Sequence, residues 1–130
     1  MSDEELISVA AGVVGAFRPG RTCVAGSVAA AIRTRAGHVY TGICIDAPCS
    51  IGFCAEHAAI AEMLKARESE IELMVAIDDA GHVLPPCGRC RELMWQVNAR
   101  NRDARVLVSR SRSMLLSELL PSHYQDYEQP

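Results

Sequence analysis

The run Pro86-Cys87-Gly88-Arg89-Cys90 and, upstream, Cys54-Ala55-Glu56 constrain this chain more than anything else in it. Cys87 and Cys90 are three apart at an expected helix start, so their thiols fall on one face. By itself that spacing serves a zinc half-site or a redox pair. Cys54 also stands at an expected helix start. Three thiolates leave one tetrahedral position open, and three protein ligands plus water is the arrangement of a catalytic zinc rather than a closed structural one. Glu56 lies two residues from Cys54 and would face away from it on a regular helix. Both reach one metal only if Cys54 occupies the non-helical first turn. Glu56 is then a carboxylate available for proton transfer beside the open position. A fold for this sequence must therefore bring two helix starts together.

The remaining cysteines do not change that reading. There are six, at 23, 44, 49, 54, 87 and 90. An even count invites disulfides, but the N-terminus MSDEELISV is acidic and shows no secretion pattern, which favours metal or catalysis and a cytoplasmic location. Residues 1–130 are expected to form a single domain. Apolar residues make up 49% of the chain, enough for an ordered core. The net charge of −3 is spread along the chain and argues against a nucleic-acid polymer as partner. No run of 18 apolar residues is present, so no membrane span is expected.

Along the chain, Ser2-Asp3 can cap a helix running to about Phe17, and Pro19-Gly20 breaks it. Gly26–Thr34 and the run from Val39 to Ile45 read as a strand hairpin around the turn at Arg35–His38. Cys54 to about Ala66 reads as a helix, and Ile71–Ile77 as a buried strand. Pro86 opens a further helix ending near Asn98, with the proline in its first turn. Val106–Val108 is a short strand, and Leu115–Leu120 a last strand or helix. The order α-β-β-α-β-α-β predicts a three-layer α/β/α fold with helices on both faces of the sheet. The strands flanking the second and third helices are expected to pair in parallel.

The combined C-x-E and P-C-x-x-C motifs are the signature of zinc-dependent nucleobase deaminases in their three-cysteine form. The chain resembles the small cytidine deaminases, and more closely their blasticidin S deaminase branch. The likeness runs through VAAAIRT (28–34), GICIDA (42–47), CAEHAAI (54–60), PCGRCREL (86–93) and SELLP (117–121). It implies a five-stranded mixed sheet and a homotetramer with active sites near subunit interfaces. It also implies one zinc ion held by Cys54, Cys87 and Cys90, Glu56 as proton shuttle, and substrate contacts at Cys44, Asp46 and Ala55. The implied reaction is hydrolytic deamination of a small cytosine-type substrate with release of ammonia. In such enzymes the residue after the catalytic Glu is commonly an Arg that bonds the thiolates. Here it is His57, which can offset thiolate charge or be an ordinary buried histidine. Arg89 and Arg91 flank Cys90; surface solvation is the plainer role for Arg89.

The same resemblance bears on the substrate. The Asn and Phe that usually contact ribose and base fall, in register, at Ala25 and Gly26. The usual Asn and Glu of the next strand fall at Cys44 and Asp46. Missing sugar anchors point toward a free base, a ring-modified base or an analogue. An ordinary cytidine or deoxycytidine deaminase and a nucleoside-antibiotic deaminase are the alternatives. Deamination within nucleic acid, a zinc-stabilised scaffold and a redox protein are the readings from other classes. Cys23 and Cys49 read as packing residues and Trp95 as core or interface. His38 and His82 read as exposed turn residues. Tyr124 and Tyr127 lie in a tail that can close over a pocket or lie against a neighbouring subunit.

Overall fold

Ala29, Ala30, Ala31 and Ile32 are consecutive and all fully buried, which requires a strand covered on both faces. In the computed structural model, which describes residues 1–126, they lie on β2 (Cys23–Thr34). Along one edge of β2 runs β3 (Val39–Asp46), antiparallel; along the other runs β4 (Ile71–Asp78), also antiparallel. β4 pairs in parallel with β5 (Arg105–Ser109), and β5 pairs antiparallel with β6 (Arg112–Leu115). Side chains alternate across this sheet with the period of two that a pleat imposes. Ala31, Leu73, Val75, Ile77 and Leu107 face α1 (Asp3–Ala11), where Leu6, Ile7 and Ala10 cover them. Ala30, Ile32, Met74, Ala76 and Val106 face α2 (Ala55–Lys65) and α3 (Gly88–Val97), which contribute Ala59, Ile60, Met63, Met94 and Trp95. The expected three layers, with helices on both faces, are therefore present.

Four details differ from expectation. Among the described residues the sheet has six strands rather than five, because Phe17–Gly20 forms a short strand, β1, instead of ending a helix. Ser2 does cap α1, accepting the Glu5 N–H at 3.1 Å, but the helix stops at Ala11. Its apolar face is complete by Ala10, and the chain then returns to the sheet through Gly15 N–H bonded to the Gly26 carbonyl at 2.8 Å. Gly26 has φ +83°, and a Cβ there would meet the Gly15 oxygen at 2.3 Å, so the turn needs glycine.

The second difference concerns pairing. β4 and β5, which flank α3, are parallel partners as expected. β3 and β4, which flank α2, are not partners. Both run antiparallel to β2 and lie on either side of it, because the hairpin fills one edge of β2 and leaves the other for β4. Third, Pro86 precedes the first turn of α3 instead of lying in it, since Cys87 is the N-cap. Fourth, the final segment is both strand and helix: β6 leads directly into α4 (Leu116–Leu119).

α2 lies unusually close to β3. At Gly42 a Cβ would stand 2.3 Å from the Ala59 nitrogen and 2.7 Å from the Ala55 carbonyl oxygen. The helix face there is Ala55, Ala58 and Ala59, so the backbones meet across small residues.

Candidate active site

α2 and α3 begin side by side beyond the ends of β3 and β4. Cys54 is the N-cap of α2, with φ −74° and ψ 153°, and Cys87 the N-cap of α3, with φ −70° and ψ 171°. Both cysteines thus sit in extended backbone just ahead of their helices, as the spacing of Cys54 and Glu56 demanded. The Cys54 and Cys87 sulfurs are 3.5 Å apart, as are those of Cys87 and Cys90. The Cys54 and Cys90 sulfurs lie within 4.8 Å of each other and of a ring nitrogen of His57. Sulfurs bound to one tetrahedral zinc at ~2.3 Å stand roughly 3.8 Å apart, so the three thiols fit one such ion. Their chemistry fits as well, since soft thiolates select zinc over harder cations.

Glu56 lies in the first turn of α2 and is 5% exposed. Burial raises its pKa above the ordinary carboxylate value, while its own backbone N–H and the Cys90 thiol work in the opposite direction. The carboxyl group is therefore better able to carry a proton than a solvated one. The thiols differ from one another. Burial pushes Cys90 and Cys54 up. Cys87 is lowered: burial opposes this, but the backbone N–H of Cys90, the Cys54 thiol and the Arg89 N–H outweigh it. Helix N-termini favour such anions.

His57 Nδ1 is 3.4 Å from the Cys90 sulfur. Burial, assisted by the Arg89 charge, lowers its pKa, which favours the neutral ring with a single N–H to donate. Arg91 turns away from the thiols. Its Nε donates to the Pro86 carbonyl at 2.9 Å and its guanidinium to the Leu119 carbonyl at 3.0 Å. That ties the approach to Cys87 to the end of α4.

A cleft of about 550 Å³ opens onto Cys54, Glu56 and Cys87. Cys44, Asp46 and Ala55, singled out from sequence, all line it. Ala25 and Gly26 do not; the lining begins at Ser27 and Val28, the next two residues of β2. Ser27 was missed, although its place directly after Gly26 on the same strand was the available signal. It links the far end of the cleft: its hydroxyl lies 3.2 Å from the Cys44 sulfur and donates to Asp46 Oδ2 at 3.3 Å. The Val28 N–H also points at the Cys44 sulfur, at 3.3 Å. The rim includes a loop in which Cys49 (φ 67°) and Ser50 (φ 57°) are both left-handed, a strained conformation for residues with a Cβ.

Other expectations resolve individually. Trp95 is 9% exposed and stacks on His123, ring centroids 3.9 Å apart. His38 and His82 are exposed turn residues. All six cysteines are free; Cys23 is half-buried, but Cys49 is exposed and is not the core packing residue expected, because it lies in the left-handed loop at the cleft rim. Tyr124 is 68% exposed, and Tyr127 lies outside the described residues. No described helix is long and apolar enough to cross a membrane.

No protein-family model matches the chain. A blasticidin-S deaminase of Bacillus cereus is 29% identical over 109 residues, spanning 75% of this chain and 76% of that protein. Among solved structures, the cytidine deaminase of Mycobacterium tuberculosis superposes with a TM-score of 0.79 at 25% identity, covering 95% of this chain and 98% of that one. The chain thus has the cytidine deaminase fold and resembles deaminases of that kind in sequence. Another cytidine deaminase structure, from Burkholderia pseudomallei, superposes with a TM-score of 0.76 at 23% identity, over 95% of this chain and the whole of the other. The cytidine deaminase fold thus extends across nearly all of this chain.

Proposed function

We propose that this chain is a zinc-dependent hydrolase that converts the amino group of a small cytosine-type ring to a carbonyl and releases ammonia. The observation that carries the reading is Glu56, buried at the inner end of a cleft onto which Cys54 and Cys87 also open. Cys54, Cys87 and Cys90 hold the zinc, which when bound supplies Lewis-acid polarisation and makes a neighbouring water acidic near neutral pH. Glu56 takes a proton from the attacking water and gives it to the ring nitrogen beside the amino-bearing carbon. It then carries the proton of the hydroxyl added at that carbon to the amine, so that the carbonyl forms as the C–N bond breaks and ammonia leaves. Ala55 and the β3 end, with Cys44 and Asp46, position the substrate, and His57 bonds the Cys90 thiolate from behind.

Plain cytidine is not the preferred substrate. Cys44 and Asp46 already bond Ser27, and neither Ala25 nor Gly26 reaches the cleft, so the acceptors available to sugar hydroxyls are few. Each lost hydrogen bond of this kind costs roughly 0.5–1.5 kcal/mol. A base or an analogue with a different appendage fits better. The chain acts in the cytoplasm, consistent with six unpaired cysteines, and as a homotetramer, for which exposed Phe17, Ile51 and Phe53 supply apolar surface.

The test is metal content together with an ammonia-release screen over cytosine, ring-modified cytosines, cytidine, deoxycytidine and blasticidin S. About one zinc per chain and turnover of at least one compound are expected. Cys87→Ala and Cys90→Ala should each lose the metal and the activity together. Full zinc retention by both variants would sink the ligand assignment. Cytidine turned over at about 10⁴ M⁻¹s⁻¹ or faster, ahead of every other compound, would sink the substrate preference.

A further inference from the structure

The cleft is several times larger than a cytosine ring, and its mouth carries two charged side chains from different elements: Asp46 at the end of β3 and Arg89 in the first turn of α3. They differ in what already occupies them. Asp46 Oδ2 accepts the Ser27 hydroxyl. The Arg89 side chain is exposed, lines the cleft, and makes no hydrogen bond or ion pair among the described residues. Its neighbour Arg91 is different, with both arms on backbone carbonyls. The thiols do not require the Arg89 guanidinium either. Backbone N–H groups of Arg89 and Cys90 already serve Cys87, and the His57 ring serves Cys90. Arg89 is thus a cation with free donors, set beside the site where the ring must lie.

Resting on the deaminase reading above, we propose that Arg89 is a specificity-determining residue that binds an anionic group, a carboxylate or a phosphate, on the appendage of a cytosine-type substrate. A guanidinium matches both anions through paired N–H donors. Asp46 opposes an anion close to it and directs the appendage toward the α3 side of the mouth. The ring then occupies the inner cleft against Glu56, and the charged group leaves toward solvent along Arg89.

The experiment uses two matched pairs of probes, one for each anion. Cytidine is compared with cytidine 5′-phosphate, and 1-(2-hydroxyethyl)cytosine with (cytosin-1-yl)acetate. Binding is measured by calorimetry to the zinc-loaded Glu56→Gln protein, which should not turn them over. In at least one pair the anionic member is expected to bind about tenfold tighter, and the pair that shows it identifies phosphate or carboxylate. Adding Arg89→Gln should erase the preference and Arg89→Glu should invert it, whereas adding Asp46→Asn should keep or enlarge it. Equal binding of both members in both pairs overturns the assignment. So does an Arg89→Gln variant that weakens neutral and anionic members alike, which would place Arg89 with the thiol charge. In either case ammonia release by the wild-type protein leaves the deaminase reading standing. Failure of every probe to bind, with no ammonia released, overturns both.

Discussion

α2 separates two glutamates with opposite circumstances. Glu56 opens the helix beside the thiols. Glu68 follows its far end and accepts hydrogen bonds from Thr34 at 2.8 Å, His38 at 2.9 Å and the Tyr40 hydroxyl. The Tyr40 hydroxyl, helped by Thr34 and His38 against a desolvation contribution, holds Glu68 below the ordinary carboxylate value. Burial holds Glu56 above it. Three donors fix Glu68 as an anion that clamps the β2–β3 hairpin to the end of α2. Few donors and little water leave Glu56 able to exchange a proton. The same side chain becomes a fastener or a carrier according to how many donors surround it.

Exchanging each carboxylate for an amide tests that contrast. Glu56→Gln should lower turnover by about 10²–10⁴-fold while zinc content and melting temperature stay close to wild type. Near-normal turnover on the substrate found in the screen would remove Glu56 from the mechanism. A smaller effect is expected behind the thiols. His57→Ala should weaken zinc binding, measured by chelator competition, by about 10–100-fold, and His57→Arg should recover much of it by supplying a donor. Equal zinc affinity in all three proteins would reduce His57 to packing.

The smallest effect belongs to Glu68. Because its folded pKa is depressed, its contribution is present above the unfolded carboxylate value, near pH 4.3, and is lost as pH falls through the lower folded value. Glu68→Gln should therefore lower the melting temperature by about a few degrees at neutral pH, with the difference shrinking in acid and kcat unchanged. A difference that grew as pH fell would contradict the clamp.

Much of this site was legible before the fold because its chemistry is written in local spacing. Cys54 had to sit outside the helix for Glu56 to share its surroundings, and the N-cap geometry of Cys54 is what that spacing required. The three-layer arrangement followed from the order of helices and strands. Pairing was harder to read, since which edge of β2 receives β4 depends on where the hairpin closes, and no residue in α2 encodes it. The Phe17–Gly20 strand was hidden by its own composition, Phe-Arg-Pro-Gly, which has no alternation and one residue that cannot donate to a ladder. Ser27 was overlooked because a lone serine gives no signal until Cys44 and Asp46 are brought next to it. Arg91 and the Trp95–His123 stack depend on where the C-terminal segment returns, which periodicity does not record.

The bare position at Gly42 has a consequence for how this enzyme can vary. A single methyl group there would collide with the Ala55 carbonyl and the Ala59 nitrogen, and the cheapest relief is to lift the first turns of α2 off the sheet. Cys54 and Glu56 would rise together, away from Cys87 and Cys90, which ride on a different helix. The tolerance of the whole assembly is thus held by an atom that is missing, on a strand that carries neither Glu56 nor any of the three clustered thiols. Selection can rework the cleft mouth residue by residue, but at Gly42 it has almost no room to drift.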